Sequence, residues 1–122
     1  MRVLIVDNEA TALDALAGVL QSWGCEVVAA SDGAAAMHAL AQQPCALWIF
    51  DYHLDDGDDG VSLHRRLRES HAPAPCLILS ADRTGAVRAT AQEAGLPLLM
   101  KPLRPLALKS ILDRMLAARN SP

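Results

Sequence analysis

Polar side chains that can do chemistry follow several of the apolar runs in this sequence. They are Asp7, Asn8 and Glu9, then Asp51, then Ser80, and finally Lys101. Carboxylate and amide oxygens can hold a small hard cation such as Mg2+, which takes oxygen ligands from protein, water and phosphate. A carboxylate at Asp51 can attack a phosphoryl group and form an aspartyl phosphate. The ammonium of Lys101 and the hydroxyl of Ser80 would then stabilise the charge on the phosphoryl oxygens.

These residues act together only if the fold brings them to one place. Five short apolar runs, at residues 2–6, 25–30, 45–50, 76–79 and 96–100, have the composition of buried strands. Between them, apolar residues recur at helical spacing, for example from Gly60 to Ser70. Strands alternating with helices through short loops predict a parallel sheet covered on both faces, an α/β (βα)5 three-layer sandwich. The carboxyl ends of its strands lie along one edge, so we expect the polar set to converge there.

Length and composition limit the possible classes of protein. A chain of 122 residues fits a single domain, residues 1–122, and we expect its last residues, from Ala117, to fray. A net charge of −3 without a basic run argues against nucleic-acid binding, and the sequence has no transmembrane span or signal peptide. Cys25, Cys45 and Cys76 lie far apart in apolar sequence, which indicates reduced thiols and a cytoplasmic protein.

Four segments of the sequence resemble functional segments of two-component response-regulator receiver domains. They are LIVDNE, WIFDYHLDDG, LILSAD and LLMKP. In that family they are the acidic pocket, the phospho-acceptor, the switch hydroxyl and the Lys-Pro segment. The resemblance implies a flavodoxin-like fold with strand order 2-1-3-4-5, with Asp51 as the phosphorylation site, Ser80 as the switch hydroxyl and Lys101 contacting the phosphate. It also implies a cis peptide between Lys101 and Pro102. The implied ligands of Mg2+ (or Mn2+) are Asp7, Asn8, Asp51 and the main-chain carbonyl of His53, with Glu9 as a further candidate.

The same resemblance implies a function in a phosphorelay. The domain would accept a phosphoryl group from a histidine kinase or a histidine phosphotransfer domain, and would catalyse at most its own phosphorylation and dephosphorylation. The acceptor loop, DYHLDDGDDG, is most similar to the C-terminal receivers of hybrid sensor histidine kinases, so we expect such a parent chain, although Met1 permits a free-standing protein. Partners are expected on the fourth and fifth helices and the fifth strand. We expect no nucleic-acid or direct membrane contact, and the oligomeric state stays open.

Two residues depart from the family pattern. Asn8 stands where the family usually has a second aspartate, so the pocket keeps an oxygen ligand but loses one formal charge. This predicts weaker Mg2+ binding, for which Glu9 can compensate in part. Leu98 stands where many receivers have an aromatic residue that rotates with the switch hydroxyl. An aliphatic side chain has no hydrogen-bonding group, so we expect no output through an aromatic switch.

Several of these residues also have simpler interpretations. Glu9 and Ser80 can each support the start of a helix instead of binding a metal or a phosphate. Trp23 and Trp48 are expected to be packing residues. A group of aspartates in the acceptor loop looks like a metal site, but we expect solvated turn and helix-start residues there. That group consists of Asp55, Asp56, Asp58 and Asp59.

Three other functions are alternatives, and the residues favour only the first of them. A pseudo-receiver would bind partners without being phosphorylated, and Asn8 and Leu98 favour it. An aspartate-nucleophile phosphohydrolase of the haloacid-dehalogenase type needs a second acid two residues after the nucleophile, where this chain has His53. A flavodoxin-like cofactor binder needs glycine and hydroxyl residues in the first loop, which is acidic here.

Overall fold

Strands and helices alternate along the chain. The structure is a computed structural model that describes the backbone of residues 1–120 and the side chains of residues 1–118. The strands are β1 (Arg2–Val6), β2 (Glu26–Ala30), β3 (Leu47–Asp51), β4 (Cys76–Ser80) and β5 (Leu98–Met100). The helices are α1 (Ala10–Ser22), α2 (Gly33–Gln42), α3 (Gly60–Ser70), α4 (Ala86–Glu93) and α5 (Pro105–Asn120).

All strand pairs are parallel, and the strands lie in the order β2-β1-β3-β4-β5. The predicted (βα)5 sandwich and its strand order are therefore confirmed. The register aligns the carboxyl ends of neighbouring strands, since Val6 pairs with Phe50 and Asp51 pairs with Leu79. Residues that directly follow or end these strands must consequently lie side by side along one edge of the sheet.

The core consists of two apolar layers, one on each face of the sheet. Alternate residues of each strand point to opposite faces, so Trp48 and Phe50 pack with α2, α3 and α4 while Ile49 packs with α1 and α5. Every residue of β3 and of β4 is buried, as expected for central strands of a covered parallel sheet. Trp48 is fully buried and Trp23 packs partly buried at the end of α1, so both are packing residues as predicted.

Side-chain caps and glycines set the ends of several helices. The carboxylate of Asp32 accepts a hydrogen bond from the amide of Ala35, and that of Asp59 accepts one from the amide of Ser62. These contacts satisfy backbone donors in the first turns of α2 and α3. Gly24 and Gly95 have positive φ just after α1 and α4, which ends both helices as predicted.

Some predicted boundaries differ from the structure. β3 begins at Leu47 and includes Asp51, and β5 is reduced to three residues, Leu98–Met100. A 3-10 turn, Asp55–Gly57, follows β3 and was not predicted. The described part of α5 reaches Asn120, the fraying expected from Ala117 stays a prediction, and residues 121–122 lie outside the described residues. Within residues 1–120, no helix is long and apolar enough to cross a membrane.

The pH dependence of stability should report the burial of His64. This residue lies on the inner face of α3, and its ring meets that of Trp48 edge to face at 5.9 Å. Burial, reinforced by the charge of Arg68, lowers the pKa of His64 below its ordinary value of 6.5. The unfolded chain binds the proton at higher pH than the folded one, so the contribution of His64 to stability is complete above about pH 6.5 and is lost as the pH falls below it. Urea unfolding from about pH 8 to about pH 5 measures this loss.

The matched control for that experiment is His64→Gln, which carries no proton in this pH range. All other titrating groups, including Asp51, are the same in both proteins, so the difference between the two stability curves isolates His64. We expect the wild-type curve to fall more steeply on acidification. Parallel curves would contradict a buried, neutral His64.

Candidate functional site

Two buried carboxylates and one ammonium meet at the carboxyl edge of the sheet. Asp7 follows β1, Asp51 ends β3 and Lys101 follows β5. The Nζ atom of Lys101 donates a hydrogen bond to Oδ2 of Asp7 at 2.9 Å and lies 3.4 Å from Oδ2 of Asp51. Both aspartates are buried, with relative exposures of 4% and 8%. The predicted convergence of these three residues, remote in sequence, is therefore confirmed.

The electrostatics of this edge are dominated by the paired carboxylates. Burial, followed by the negative charge of Asp7, raises the pKa of Asp51 to about 6, and Lys101 only partly opposes the increase. Burial lowers the pKa of Lys101, but its hydrogen bond to Asp7 and the charge of Asp51 outweigh burial and leave that pKa above its ordinary value. Lys101 is thus a permanent ammonium, and one positive charge faces two acidic groups.

Asp7 and Ser80 are held by the backbone beside them. The Oδ1 atom of Asp7 accepts a hydrogen bond from the amide of Glu9 at 2.9 Å. Ser80 is completely buried, and its Oγ accepts one from the amide of Asp82 at 2.9 Å. The hydroxyl proton of Ser80 has no acceptor within the part of the chain that the structure describes. The helix-start interpretation of Ser80 is wrong, because α4 begins at Ala86 with Gly85 as its N-cap residue.

Asn8 and Glu9 lie at the rim of this edge. Both are exposed, and the Nδ2 atom of Asn8 donates a hydrogen bond to Oδ1 of Asp55 at 2.9 Å. Glu9 is the N-cap residue of α1 by its backbone angles, but its side chain makes no capping hydrogen bond. Sequence reasoning missed the contact of Asn8 with Asp55, and no signal in the sequence indicates it.

The acceptor loop folds back on itself instead of extending into solvent. His53 pairs with Asp59 in an isolated antiparallel bridge, and the amide of Gly60 donates to the carbonyl of Tyr52 at 2.8 Å. The carboxylate of Asp58 takes two hydrogen bonds from the guanidinium of Arg66, at 2.8 and 3.0 Å. Arg66 consequently lowers the pKa of Asp58.

The aspartates of this loop therefore have different structural roles. Asp59 begins α3 and Asp56 is an exposed turn residue in the left-handed region, at φ 59°, so the expectation is confirmed for these two. It also holds for Asp55, an exposed residue of the 3-10 turn that accepts a hydrogen bond from Asn8. Asp58 departs from it in part, because this residue is half-buried and paired with Arg66. No group of three or more histidine, cysteine, aspartate or glutamate side chains among the described residues is arranged to hold a metal ion.

His53 lies on the acceptor loop, two residues after the end of β3. Its imidazole ring is exposed, and the Nε2 atom of that ring lies 3.9 Å from Oδ2 of Asp82. Its main-chain oxygen accepts no hydrogen bond from another residue within residues 1–120. The peptide bond between Lys101 and Pro102 is cis, as the family resemblance implied.

The donor set of this edge fits Mg2+ as a small hard cation. Asp7 and Asp51 supply carboxylate oxygens. Burial, followed by the charge of Asp7, raises the pKa of Asp51, and a cation bound by both carboxylates would offset that charge. Asn8 and His53, in the loops that follow β1 and β3, carry neutral oxygens. Mg2+ is usually bound through one or two carboxylates and keeps several water ligands, so a cluster of three acids is not required.

An apolar groove of about 500 Å3 opens beside the carboxylates, between α1 and the start of α5. Leu16 and Val19 line it from α1, and Leu103 and Leu108 line it from the other side. Asp7 and Lys101 lie at its polar end. The groove thus connects an apolar surface directly with the charged edge of the sheet.

A five-stranded parallel α/β sandwich of this strand order is a flavodoxin-like fold. The family described as the response regulator receiver domain matches residues 3–113. The chain belongs to this family.

Individual relatives come from sensor kinases and from regulators. The chain is 32% identical over 116 residues to the sensor protein EvgS of Escherichia coli, and this match covers 94% of the chain and 10% of EvgS. It is 40% identical over 81 residues to the virulence transcriptional regulatory protein PhoP of Salmonella typhimurium, which covers 66% of this chain and 36% of PhoP. The chain therefore spans only a minor part of the curated relatives that it matches.

A solved structure of a two-component response regulator from Clostridium difficile has the same fold. It superposes with a TM-score of 0.88 and covers 99% of both chains. The sequence identity is 22%, so this likeness concerns the fold alone.

Proposed function

We propose that this protein accepts a phosphoryl group on Asp51, in a Mg2+-dependent transfer from a phosphohistidine of a histidine kinase or a histidine phosphotransfer domain. The observation that carries the proposal is the contact of one ammonium, Lys101 Nζ, with Asp7 at 2.9 Å and with Asp51 at 3.4 Å. The family match supports the class of reaction. EvgS and PhoP, as relatives named for sensing and transcriptional regulation, support a signalling context.

The transfer exchanges one bond to phosphorus for another. A carboxylate oxygen of Asp51 attacks the phosphorus atom while the bond from phosphorus to the donor imidazole breaks. The imidazole keeps the electron pair and takes up a proton. Lys101 then donates its hydrogen bonds to phosphoryl oxygens, and the free hydroxyl proton of Ser80 is available to one of them.

The ligands of Mg2+ would be Asp7, Asn8, Asp51 and the main-chain carbonyl of His53. Glu9, in the same loop as Asp7 and Asn8, would be a further candidate. The bound ion would supply positive charge that neutralises the phosphoryl oxygens during transfer. With Asp51 at a pKa of about 6, a cation also favours its ionised, nucleophilic form.

Replacing Asp51 tests the proposal directly. Incubation with a small phosphodonor and Mg2+ should add the mass of one phosphoryl group to the intact wild-type protein. Asp51→Asn should show no gain, because an amide has no nucleophilic oxygen of comparable strength. No mass gain in the wild type, or a gain that survives Asp51→Asn, would contradict the proposed function. Removal of Mg2+ with a chelator should suppress the wild-type gain.

For the cellular setting, we propose that residues 1–122 form a single receiver domain, which belongs to a hybrid sensor histidine kinase in the cytoplasm. The match to EvgS over 94% of this chain supports the kinase setting, and three free cysteines support a reducing compartment. The apolar groove beside Asp7 and Lys101 offers a phosphodonor partner a surface next to the acceptor. A kinase core encoded directly upstream of Met1 would confirm this setting, and a DNA-binding domain in the same chain would contradict it.

A pseudo-receiver is the second candidate function. It is favoured by Asn8, whose amide is hydrogen-bonded to Asp55, and by Leu98, which packs against the core without any polar group. Such a protein would bind partners without accepting phosphate. The intact-mass experiment separates the two candidates, since only a functional receiver gains mass.

A further inference from the structure

The amide of Asn8 is tied to one residue of the acceptor loop. Its Nδ2 atom donates to Oδ1 of Asp55 at 2.9 Å, a contact that joins the loops after β1 and β3 across 47 positions of sequence. An asparagine side chain has one donor end and one acceptor end. Because the donor end faces Asp55, the acceptor atom Oδ1 is left for another partner.

Asp55 is itself held by the folded acceptor loop. Its carbonyl accepts a hydrogen bond from the amide of Asp58 at 3.1 Å, and the carbonyl of Asp58 accepts one from Leu54 at 3.1 Å. Asp58 is fixed to α3 through its two hydrogen bonds with Arg66. The carboxylate of Asp55 therefore belongs to a turn that is fixed by hydrogen bonds, and it can orient the side chain of Asn8.

We propose that Asp55 is a positioning residue, which orients the amide of Asn8 so that Oδ1 serves as a ligand oxygen for Mg2+. The inference rests on the proposed function. A reversed amide would offer N–H donors, which a cation cannot use. An asparagine at position 8 is therefore compatible with an aspartate at position 55, whereas a carboxylate at both positions would place two like charges in hydrogen-bond contact.

The test measures Mg2+ binding to the unphosphorylated protein by calorimetry, without a phosphodonor. Asp55→Ala should weaken Mg2+ binding about fivefold, since partners that orient metal ligands affect affinity and this one is exposed to solvent. Asp55→Asn should bind nearly as well as the wild type, because an amide oxygen still accepts the hydrogen bond. Asp56→Asn is the matched control, since it removes the same charge from the neighbouring exposed residue and asparagine tolerates the left-handed backbone at this position.

Side-chain amide signals of Asn8 in NMR spectra provide a readout that does not depend on Mg2+. We expect these signals to shift in Asp55→Ala and to stay in place in Asp56→Asn. The pairing also predicts that Asn8→Asp lowers the Mg2+-free thermal stability more in the wild type than in the Asp55→Asn background.

Three results would overturn the inference. They are equal Mg2+ affinities of Asp55→Ala and the wild type, equal losses of affinity in Asp55→Ala and Asp56→Asn, and no Mg2+ binding to the wild type. The proposed function fails separately. If Asp51 gains no phosphate while Asp55→Ala weakens Mg2+ binding and shifts the Asn8 signals, only the proposed function is wrong.

Discussion

Replacing Lys101 with methionine is expected to slow phosphorylation of Asp51 about a hundredfold at saturating Mg2+, the effect typical of losing one transition-state donor. The Nζ atom is the one cationic group that contacts both Asp7 and Asp51 among the described residues. Without it, the pKa of Asp51 rises further, because burial and the charge of Asp7 are then opposed only by a backbone hydrogen bond from Tyr52. The initial rate of phosphate incorporation, followed by intact mass, measures the effect.

The same substitution should lower the stability of the Mg2+-free protein by about 1 to 2 kcal/mol, because it leaves two buried carboxylates without their partner. Lys109→Met is the matched control. Lys109 forms an exposed pair with Asp113 one turn away on α5, at 2.8 Å, and such pairs contribute little. Equal phosphorylation rates in the two variants would show that Lys101 takes no part in the reaction.

Gly60→Ala is expected to destabilise the fold by about 3 kcal/mol, at the upper end of the usual cost of overpacking. A Cβ atom at Gly60 would lie 2.5 Å from the carbonyl oxygen of Asp51 and 3.2 Å from Cβ of Phe50. The first obstacle is backbone, so α3 must move away from the end of β3. This movement would also displace Asp51, and we expect a slower phosphorylation along with a lower urea midpoint.

Gly18→Ala provides the control for the loss of a glycine. Gly18 lies on the exposed face of α1, and nothing lies within 4 Å of a Cβ added there. Alanine favours the helix by about 0.5 to 1 kcal/mol relative to glycine, so this variant should be more stable than the wild type. A Gly60→Ala protein as stable as the wild type would contradict the close contact of α3 with β3.

The main part of the site could be predicted because it depends on strand ends. Each apolar run stops at a polar residue, and parallel strands bring their ends to one edge. This reasoning needs no knowledge of side-chain conformation, and it places Asp7, Asp51 and Lys101 together. The structure adds that Lys101 contacts Asp7 more closely than Asp51, at 2.9 against 3.4 Å.

The acceptor loop could not be predicted in the same way. Its shape depends on two consecutive residues with positive φ, Asp56 and Gly57, and on contacts with partners that lie elsewhere in the chain, such as Asn8 and Arg66. A run of aspartates carries no periodic signal that would distinguish these partners. The sequence pattern alone therefore treats the four aspartates as equivalent, although their contacts differ.

The short edge strand β5 has a consequence for how the protein behaves in concentrated solution. An exposed sheet edge offers unpaired amides and carbonyls to other chains, and long edges promote aggregation. Here β5 has three residues, and α5 follows soon after at Pro105. So short an edge gives a second sheet little to join at β5, and the longer edge open to such pairing is β2, with five residues.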